Sequence, residues 1–434
     1  MSVLTIGAIG IVALFVLILL QVPVGIAMLV VGVAGYAAQT GWGPALAMLA
    51  SEPAGLLSSV DLATVPLFLL MGTFASAAGF SAEIYNAAAA VLGHRRGGLA
   101  YATAGGCAAF GAICGSSTAT AATFAKAALP EMLSRGYSPG FAAGTIAAGG
   151  ALKSLIPPSV AMILYCVAAK TFIFDLFIAA IIPAVLTIAA NLLMIAVVVR
   201  LRPEIAPMSE RLPWSERWPL IRAALPVLFL MVVVFCGLYS GIFTVNEAAS
   251  VAAVLSFAFA AMRGRLTRVA VWRGMRDCAS ASAMIYMIII GSTIFGAFIG
   301  LAQIPEALIA LLNGTQLSGL TIIFLLLVIY LILGAVFDEI AAMLITLPFV
   351  LPIITQLGYD PIWWGILNIV IIEIGMILPP LGIAVFVLHG MAPQISLSKI
   401  YKGVTPFILA DLFVLALLTL FPALSLWLPK LLQN

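Results

Sequence analysis

The sequence predicts an all-α polytopic membrane protein built from two inverted repeats, with about ten spans and two re-entrant helical hairpins. Three observations carry this expectation: an excess of apolar residues, arginines confined to alternate loops, and a proline–glycine pattern that recurs 222 residues downstream. The chain has 434 residues, of which 64% are hydrophobic and 8% charged, where a soluble domain carries about 25% charged residues. Too few polar side chains are present to coat a soluble globule, so lipid is the expected solvent for most of the surface. A net charge of +3, with the basic residues in short loops, points to no nucleic-acid face. Cys107, Cys114, Cys166, Cys236 and Cys278 lie in or beside apolar stretches without metal-ligand spacing, and read as free thiols. No nucleophile–base pair stands out, and His94 and His389 are far apart at loop positions, so a secondary active transporter is expected and not an enzyme.

Apolar stretches of spanning length fall near 3–21, 23–40, 63–80, 140–170, 172–200, 220–240, 245–262, 279–300, 361–390 and 404–429. The run after Met1 lacks a basic leader and a cleavage site, and is read as a retained span. Arg200, Arg202, Arg211, Arg217 and Arg222 cluster between the fifth and sixth spans, and Arg263, Arg265, Arg268, Arg273 and Arg276 between the seventh and eighth. His94-Arg95-Arg96 follows the third span, whereas 41–63, 238–247 and 300–320 contain no Lys or Arg. Placing the basic loops in the cytoplasm puts both termini in the periplasm, with Lys430 as the exception. Lys126 and Arg135 fit the cytoplasmic end of the first hairpin, and Trp363, Trp364 and Trp427 the outer boundary.

Two apolar segments resist assignment as spans. Residues 98–135 and 318–357 are interrupted by Gly115-Ser116-Ser117 and by Asp338-Glu339. Their arms, about 15 residues each, are too short to cross a bilayer. The charge map requires each segment to return to its starting side, which a re-entrant hairpin does, provided its tip is buried in protein or lines a cavity.

The repeat is the strongest signal. Pro130, Gly136, Tyr137, Pro139, Pro157 and Pro158 recur as Pro352, Gly358, Tyr359, Pro361, Pro379 and Pro380, each 222 residues on. Upstream, Gly93, Gly98 and Leu99 recur as Gly314, Gly319 and Leu320, 221 residues on. Each half has an odd number of crossings, so the second copy is inverted. The Pro-Pro pairs interrupt their helices, removing two backbone donors and straining the preceding turn. Half-helix N-termini then favour anions and unpaired carbonyls favour Na⁺, which makes two tips facing two broken helices a plausible site for an anionic substrate with coupling cations.

These residues resemble the large membrane subunit of tripartite ATP-independent periplasmic (TRAP) transporters, the DctM-like family. The resemblance covers essentially the whole chain and is carried by Phe110-Gly-Ala-Ile-Cys-Gly-Ser-Ser-Thr-Ala-Thr120, Gly136-Tyr-Ser-Pro139, Leu155-Ile-Pro-Pro-Ser159, Gly358-Tyr-Asp-Pro361 and Glu373-Ile-Gly-Met-Ile-Leu-Pro-Pro-Leu-Gly382. It implies Na⁺-coupled import of small organic acids across the bacterial inner membrane, with substrate delivered by a soluble periplasmic binding protein. It also implies a small four-helix membrane subunit, expected here as a separate chain, and no cofactor beyond Na⁺. An elevator mechanism is implied in turn, with 1–97 and 218–316 as scaffold, 201–217 as a connector, and 98–200 and 317–434 as the moving part. A stand-alone carboxylate or ion exchanger of the same architecture is the alternative.

Two positions depart from the family pattern: Lys153 stands where glycine is expected, and Thr244-Val-Asn-Glu247 replaces a Thr-Pro-Thr-Glu motif, a difference read as local packing. The expected substrate and ion ligands are Gly115, Ser116, Ser117 and Thr118 at the first tip, with Lys153, Pro157, Pro158 and Ser159 at the first break. In the second repeat they are Asp338, Glu373, Gly375, Pro379 and Pro380, with Na⁺ near Gly115, Ser116 and Ser117 and near Asp338 and Gly375. Asp338 is the preferred tip acid because intramembrane carboxylates are costly and functional by default, whereas Glu339 is read as solvated. Lys153 has three open readings: a ligand for a substrate carboxylate, a substitute for one bound Na⁺, or a structural ion pair with Glu373.

Overall fold

The computed structural model describes residues 2–314 and 317–433; Met1, the expected boundary at 316 and Asn434 lie outside them. The first repeat opens with α1 (Val3–Leu19), α2 (Val24–Thr40), α3 (Trp42–Leu57), α4 (Val60–Ala78) and α5 (Phe80–Leu92). Its hairpin is α6 (Gly98–Cys114) returning through α7 (Ser117–Ala127) and the short α8 (Leu129–Ser134). The broken helix is α9 (Pro139–Ala151), a 3-10 turn over Leu152–Leu155, a cis Pro157–Pro158 bond and α10 (Val160–Ala169), and α11 (Ile173–Leu201) closes the repeat.

The second repeat runs α12 (Trp214–Tyr239), α13 (Val245–Met262), α14 (Arg268–Leu301) and α15 (Ile304–Gly314). Its hairpin is α16 (Gly319–Val336) and α17 (Glu339–Gln356). Its broken helix is α18 (Pro361–Ile377), a cis Pro379–Pro380 bond and α19 (Ile383–Met391), and α20 (Leu397–Leu420) and α21 (Ala423–Gln433) follow. Among the described residues eight helices are long and apolar enough to cross a membrane, or nine if α9 and α10, bent by 42°, form one span.

The repeated Gly-Tyr-x-Pro motif closes each hairpin. Gly136 and Gly358 adopt φ of +81° and +79°, the left-handed turn that ends the returning arm. The next residue then reaches the start of the hairpin: the Leu99 N–H donates to the Tyr137 hydroxyl at 3.2 Å. Its repeat equivalent Tyr359 packs its hydroxyl against Gly319, where a Cβ would stand 3.2 Å away. Both ends of each hairpin therefore lie on one side, although the 18-residue arms α16 and α17 are longer than the sequence suggested.

The two repeats interlock. α4 packs along α13, and its counterpart α14 packs along α2. Small residues allow the approach: a Cβ on Gly291 of α14 would lie 2.3 Å from the carbonyl oxygen of Gly25 on α2. α9 crosses α20 as closely, since a Cβ on Gly403 would lie 1.8 Å from the Gly140 oxygen. Beside that seam Asn191 on α11 donates to Asp411 on α20 at 2.6 Å.

Several expectations need correction. Trp363 and Trp364, expected as lipid-facing indoles near the outer boundary, are fully buried against protein. The Trp363 indole donates to the Leu418 carbonyl at 2.9 Å and stacks on Tyr359, while Trp364 meets Tyr330 edge-on. Arg268, Arg273 and Arg276 belong to the 34-residue α14 and not to a loop. The span expected over 404–429 begins earlier, at Leu397, and stops at Leu420 before Pro422. The helix α3 occupies a stretch assigned to a loop. In the 244–247 segment, Thr244 and Glu247 form a capping box, and Asn246 donates to the Val60 carbonyl at 2.8 Å and pairs with Thr64.

The glycine seam makes a direct prediction. Gly403→Leu forces α9 and α20 apart and lowers stability by about 1–3 kcal/mol or more. Thermal unfolding of the detergent-solubilised protein reads this, with Gly43→Ala, whose added Cβ meets nothing within 4 Å, as the neutral control.

Candidate functional site

Each hairpin tip is a short non-helical link whose following arm begins with a side-chain cap. α6 ends where Gly115 takes a left-handed conformation (φ +71°), donating its N–H to the Gly111 carbonyl at 3.1 Å. The extended Ser116 then caps α7, its hydroxyl accepting the Ala119 N–H at 3.3 Å. At the second tip the extended Phe337 ends α16, and Asp338 caps α17 by accepting the Ile340 N–H at 3.1 Å. Capping uses these groups to satisfy helix ends that lipid cannot hydrate.

The tips meet at the first broken helix. Lys153, 1% exposed, donates from Nζ to the Gly115 carbonyl and to Glu339 Oε1, both at 3.0 Å. The other oxygen of Glu339 accepts from the Ser154 hydroxyl at 3.1 Å and from the Ser117 hydroxyl at 3.4 Å. Ser117 and Glu339 are repeat equivalents, 222 residues apart. The backbone N–H of Ser154 donates at 2.9 Å to Glu373 Oε1, from the buried face of α18. One lysine–serine pair thus ties together both tips and both broken helices.

Close glycine crossings hold this centre. A Cβ on Gly111 of α6 would lie 2.3 Å from the Lys153 Cβ. In the second repeat a Cβ on Gly375, the equivalent of Lys153, would lie 2.5 Å from the Gly334 backbone. A similar crossing therefore occurs twice, one residue out of register, with a long cationic side chain in one copy and none in the other.

Of the expected ligands, Gly115, Ser117, Lys153 and Glu373 come together. Glu339 is not solvated: it, and not Asp338, points at the lysine, and Lys153 pairs with Glu339 and not with Glu373. Asp338 and Ser116 serve as caps, with Thr118 3.2 Å from the Ser116 hydroxyl. Pro157 and Pro158 are buried beside the centre, and the Ser159 hydroxyl is buried with no partner among the described residues. Gly375 sits at the α16 crossing, whereas Pro379 and Pro380 are exposed and the Pro380 carbonyl accepts from the Tyr401 hydroxyl at 3.0 Å. Ser154, which sequence reasoning did not select, contributes both a hydroxyl and a backbone donor. Its only signal was adjacency to Lys153.

The chemistry of the two sides differs. α10 begins at Ser159 with no side-chain cap, leaving first-turn N–H groups and a helix N-terminus of the kind that receives a carboxylate. α17 begins at two acids, so that side suits a cation. Carbonyls, hydroxyls and carboxylates are hard oxygen donors of the type Na⁺ takes. Among the described residues no group of three or more His, Cys, Asp or Glu could hold a metal ion. Breaking the buried pair leaves an uncompensated charge and costs about 3–5 kcal/mol. Glu339→Ala is expected to lower thermal stability by that order, Asp338→Ala by less, and Lys153→Met/Glu339→Met to recover most of the loss, as read by a double-mutant cycle on unfolding midpoints.

Comparison with known proteins agrees with this architecture. Residues 11–424 match the family described as "Tripartite ATP-independent periplasmic transporter, DctM component". The C4-dicarboxylate TRAP transporter large permease protein DctM of Pseudomonas aeruginosa is 35% identical, over 85% of this chain and 86% of that protein. Its namesake from Rhodobacter capsulatus is 33% identical, over 87% and 88%. Among solved structures, the YdaH transporter of Alcanivorax borkumensis shares the fold with a TM-score of 0.60 at 16% identity, over 89% of this chain and 90% of that one. The chain, a multi-pass membrane permease and not an enzyme, belongs to the DctM family of tripartite ATP-independent periplasmic transporters.

Proposed function

We propose that this chain is the large transmembrane subunit of a binding-protein-dependent, Na⁺-coupled secondary importer of small carboxylates. The observation that carries the reading is the convergence of both hairpin tips and both broken helices on Lys153, Ser154 and Glu339. A substrate carboxylate is received at the uncapped start of α10 and the Ser159 hydroxyl. Na⁺ is held by tip hydroxyls such as Ser117, by Asp338 and by the backbone near Gly375, beside the Gly115 carbonyl that Lys153 takes. The C4-dicarboxylates named for two relatives are the first substrates to try.

The moving body comprises 98–200 and 317–434, and the scaffold 1–97 and 218–316, so that the site crosses the membrane as a unit. Small residues where the two bodies touch favour such sliding: a Cβ on Gly72 of α4 would lie 2.6 Å from the Cys114 carbonyl oxygen at the first tip. The partners are a small four-helix membrane subunit and a soluble periplasmic binding protein. The location is the inner membrane, with both termini periplasmic.

Reconstitution tests the reading. The chain is placed in liposomes with the small subunit encoded beside it, and uptake of labelled succinate is measured with and without the neighbouring binding protein and a Na⁺ gradient. Uptake is expected only when both are present. Uptake indifferent to the binding protein establishes a stand-alone exchanger, and uptake indifferent to Na⁺ removes the ion coupling.

A further inference from the structure

Lys153 satisfies its charge in an unusual way. Long lysines in membrane helices normally extend toward an aqueous boundary. This one is 1% exposed and turns inward, to a main-chain carbonyl on one hairpin tip and a carboxylate on the other. A carbonyl and a carboxylate converging on one cation are the donors that a hard monovalent ion takes. The Ser117 and Ser154 hydroxyls donate to the other oxygen of the same carboxylate and hold it in place against the ammonium.

The repeat supplies an internal comparison. Position 375 is the equivalent of Lys153, and its glycine crosses α16 at Gly334 as Lys153 crosses α6 at Gly111. A similar crossing occurs in both halves, one residue out of register, but only the first sends a side chain across to the tips. Charge points the same way. One basic side chain and three carboxylic acids, Asp338, Glu339 and Glu373, share this region. The ammonium supplies Glu339 with the counter-charge that a bound ion would otherwise bring.

We infer that the Lys153 ammonium is a built-in cation occupying the place of one alkali ion between the two hairpin tips, so that the chain binds one Na⁺ fewer than it would with glycine at this position. The inference rests on the Na⁺-coupled reading above. It assigns to Lys153 the role of a permanent ligand of Gly115 and Glu339, and not that of a contact for the substrate carboxylate. It also makes the two halves unequal, with ion exchange at the lysine's place abolished by a charge that cannot dissociate.

The test is a count of bound ions on the purified full chain. Equilibrium binding of ²²Na⁺ is measured for the native protein, for Lys153→Gly and Lys153→Ser, and for Lys153→Gly/Glu339→Gln. Both single variants are expected to bind one further equivalent of ²²Na⁺ per chain, and to show a larger rise in thermal midpoint in NaCl over choline chloride than the native protein. The double variant, having lost the carboxylate, is expected to lose the extra ion. An unchanged ion count and an unchanged NaCl response in folded single variants overturn the inference. Should a single variant fail to fold in choline, recovery of monodisperse protein by Na⁺ during extraction supports the inference, and no recovery counts against it. A native protein that binds no Na⁺, with variants that gain one ion, removes the coupling reading and leaves the assignment of Lys153 standing.

Discussion

Loose helix ends in a membrane have to be buried against one another, because lipid offers no hydrogen bonds to the groups they expose. This chain has four such interruptions, two tips and two breaks, and the structure meets the demand by bringing them together. Serine and aspartate caps serve the outgoing arms, and the Ser154 N–H, freed at the first break, finds Glu373 on the other broken helix. The remaining carbonyl at Gly115 is taken by Lys153. A place where backbone polarity accumulates for structural reasons also has the chemistry suited to ions and carboxylates.

Much of this was legible in the sequence. The Pro-Pro pairs, the Gly-Tyr-x-Pro motif and the arginine map identified two inverted repeats, each with a hairpin and a broken helix, since all three reflect local rules of backbone geometry and charge placement. Lys153 stood out because a charge deep in an apolar stretch has few reasons to exist. Which acid it would meet was not legible. Asp338 and Glu339 are adjacent, and choosing between them needs the exit direction of α16, which depends on packing against α18. The burial of the tryptophans was not legible for a related reason: an indole near a helix end reads as lipid-facing until its backbone partner, the carbonyl of Leu418, is placed beside it. α3 escaped because its Ser51-Glu52-Pro53 stretch has the composition of a loop.

Symmetry in this fold is a property of the backbone more than of the side chains. The hairpin closures by Tyr137 and Tyr359, the cis Pro-Pro bonds and the glycine crossings at Gly111 and Gly334 repeat closely. The chemical groups do not: serines line the first tip and acids the second, and the first break is buried while the second faces outward. Duplicated architecture with divergent chemistry gives one site an anion-friendly side and a cation-friendly side without two separate designs.

The exchange of partners between the repeats has a consequence for how the protein is made. Thr64 on α4 is joined to Asn246 on α13, 182 residues later in the chain. At a synthesis rate of about 5–20 residues per second, α4 waits roughly 10–35 s for the helix it packs against. During that interval the α2 face that carries Gly25 and Gly32 and the α4 face around Thr64 stand open in the membrane. Completion of the first repeat during translation therefore yields no finished domain, and quality control acting on the nascent chain has to tolerate a half-assembled bundle until the second repeat arrives.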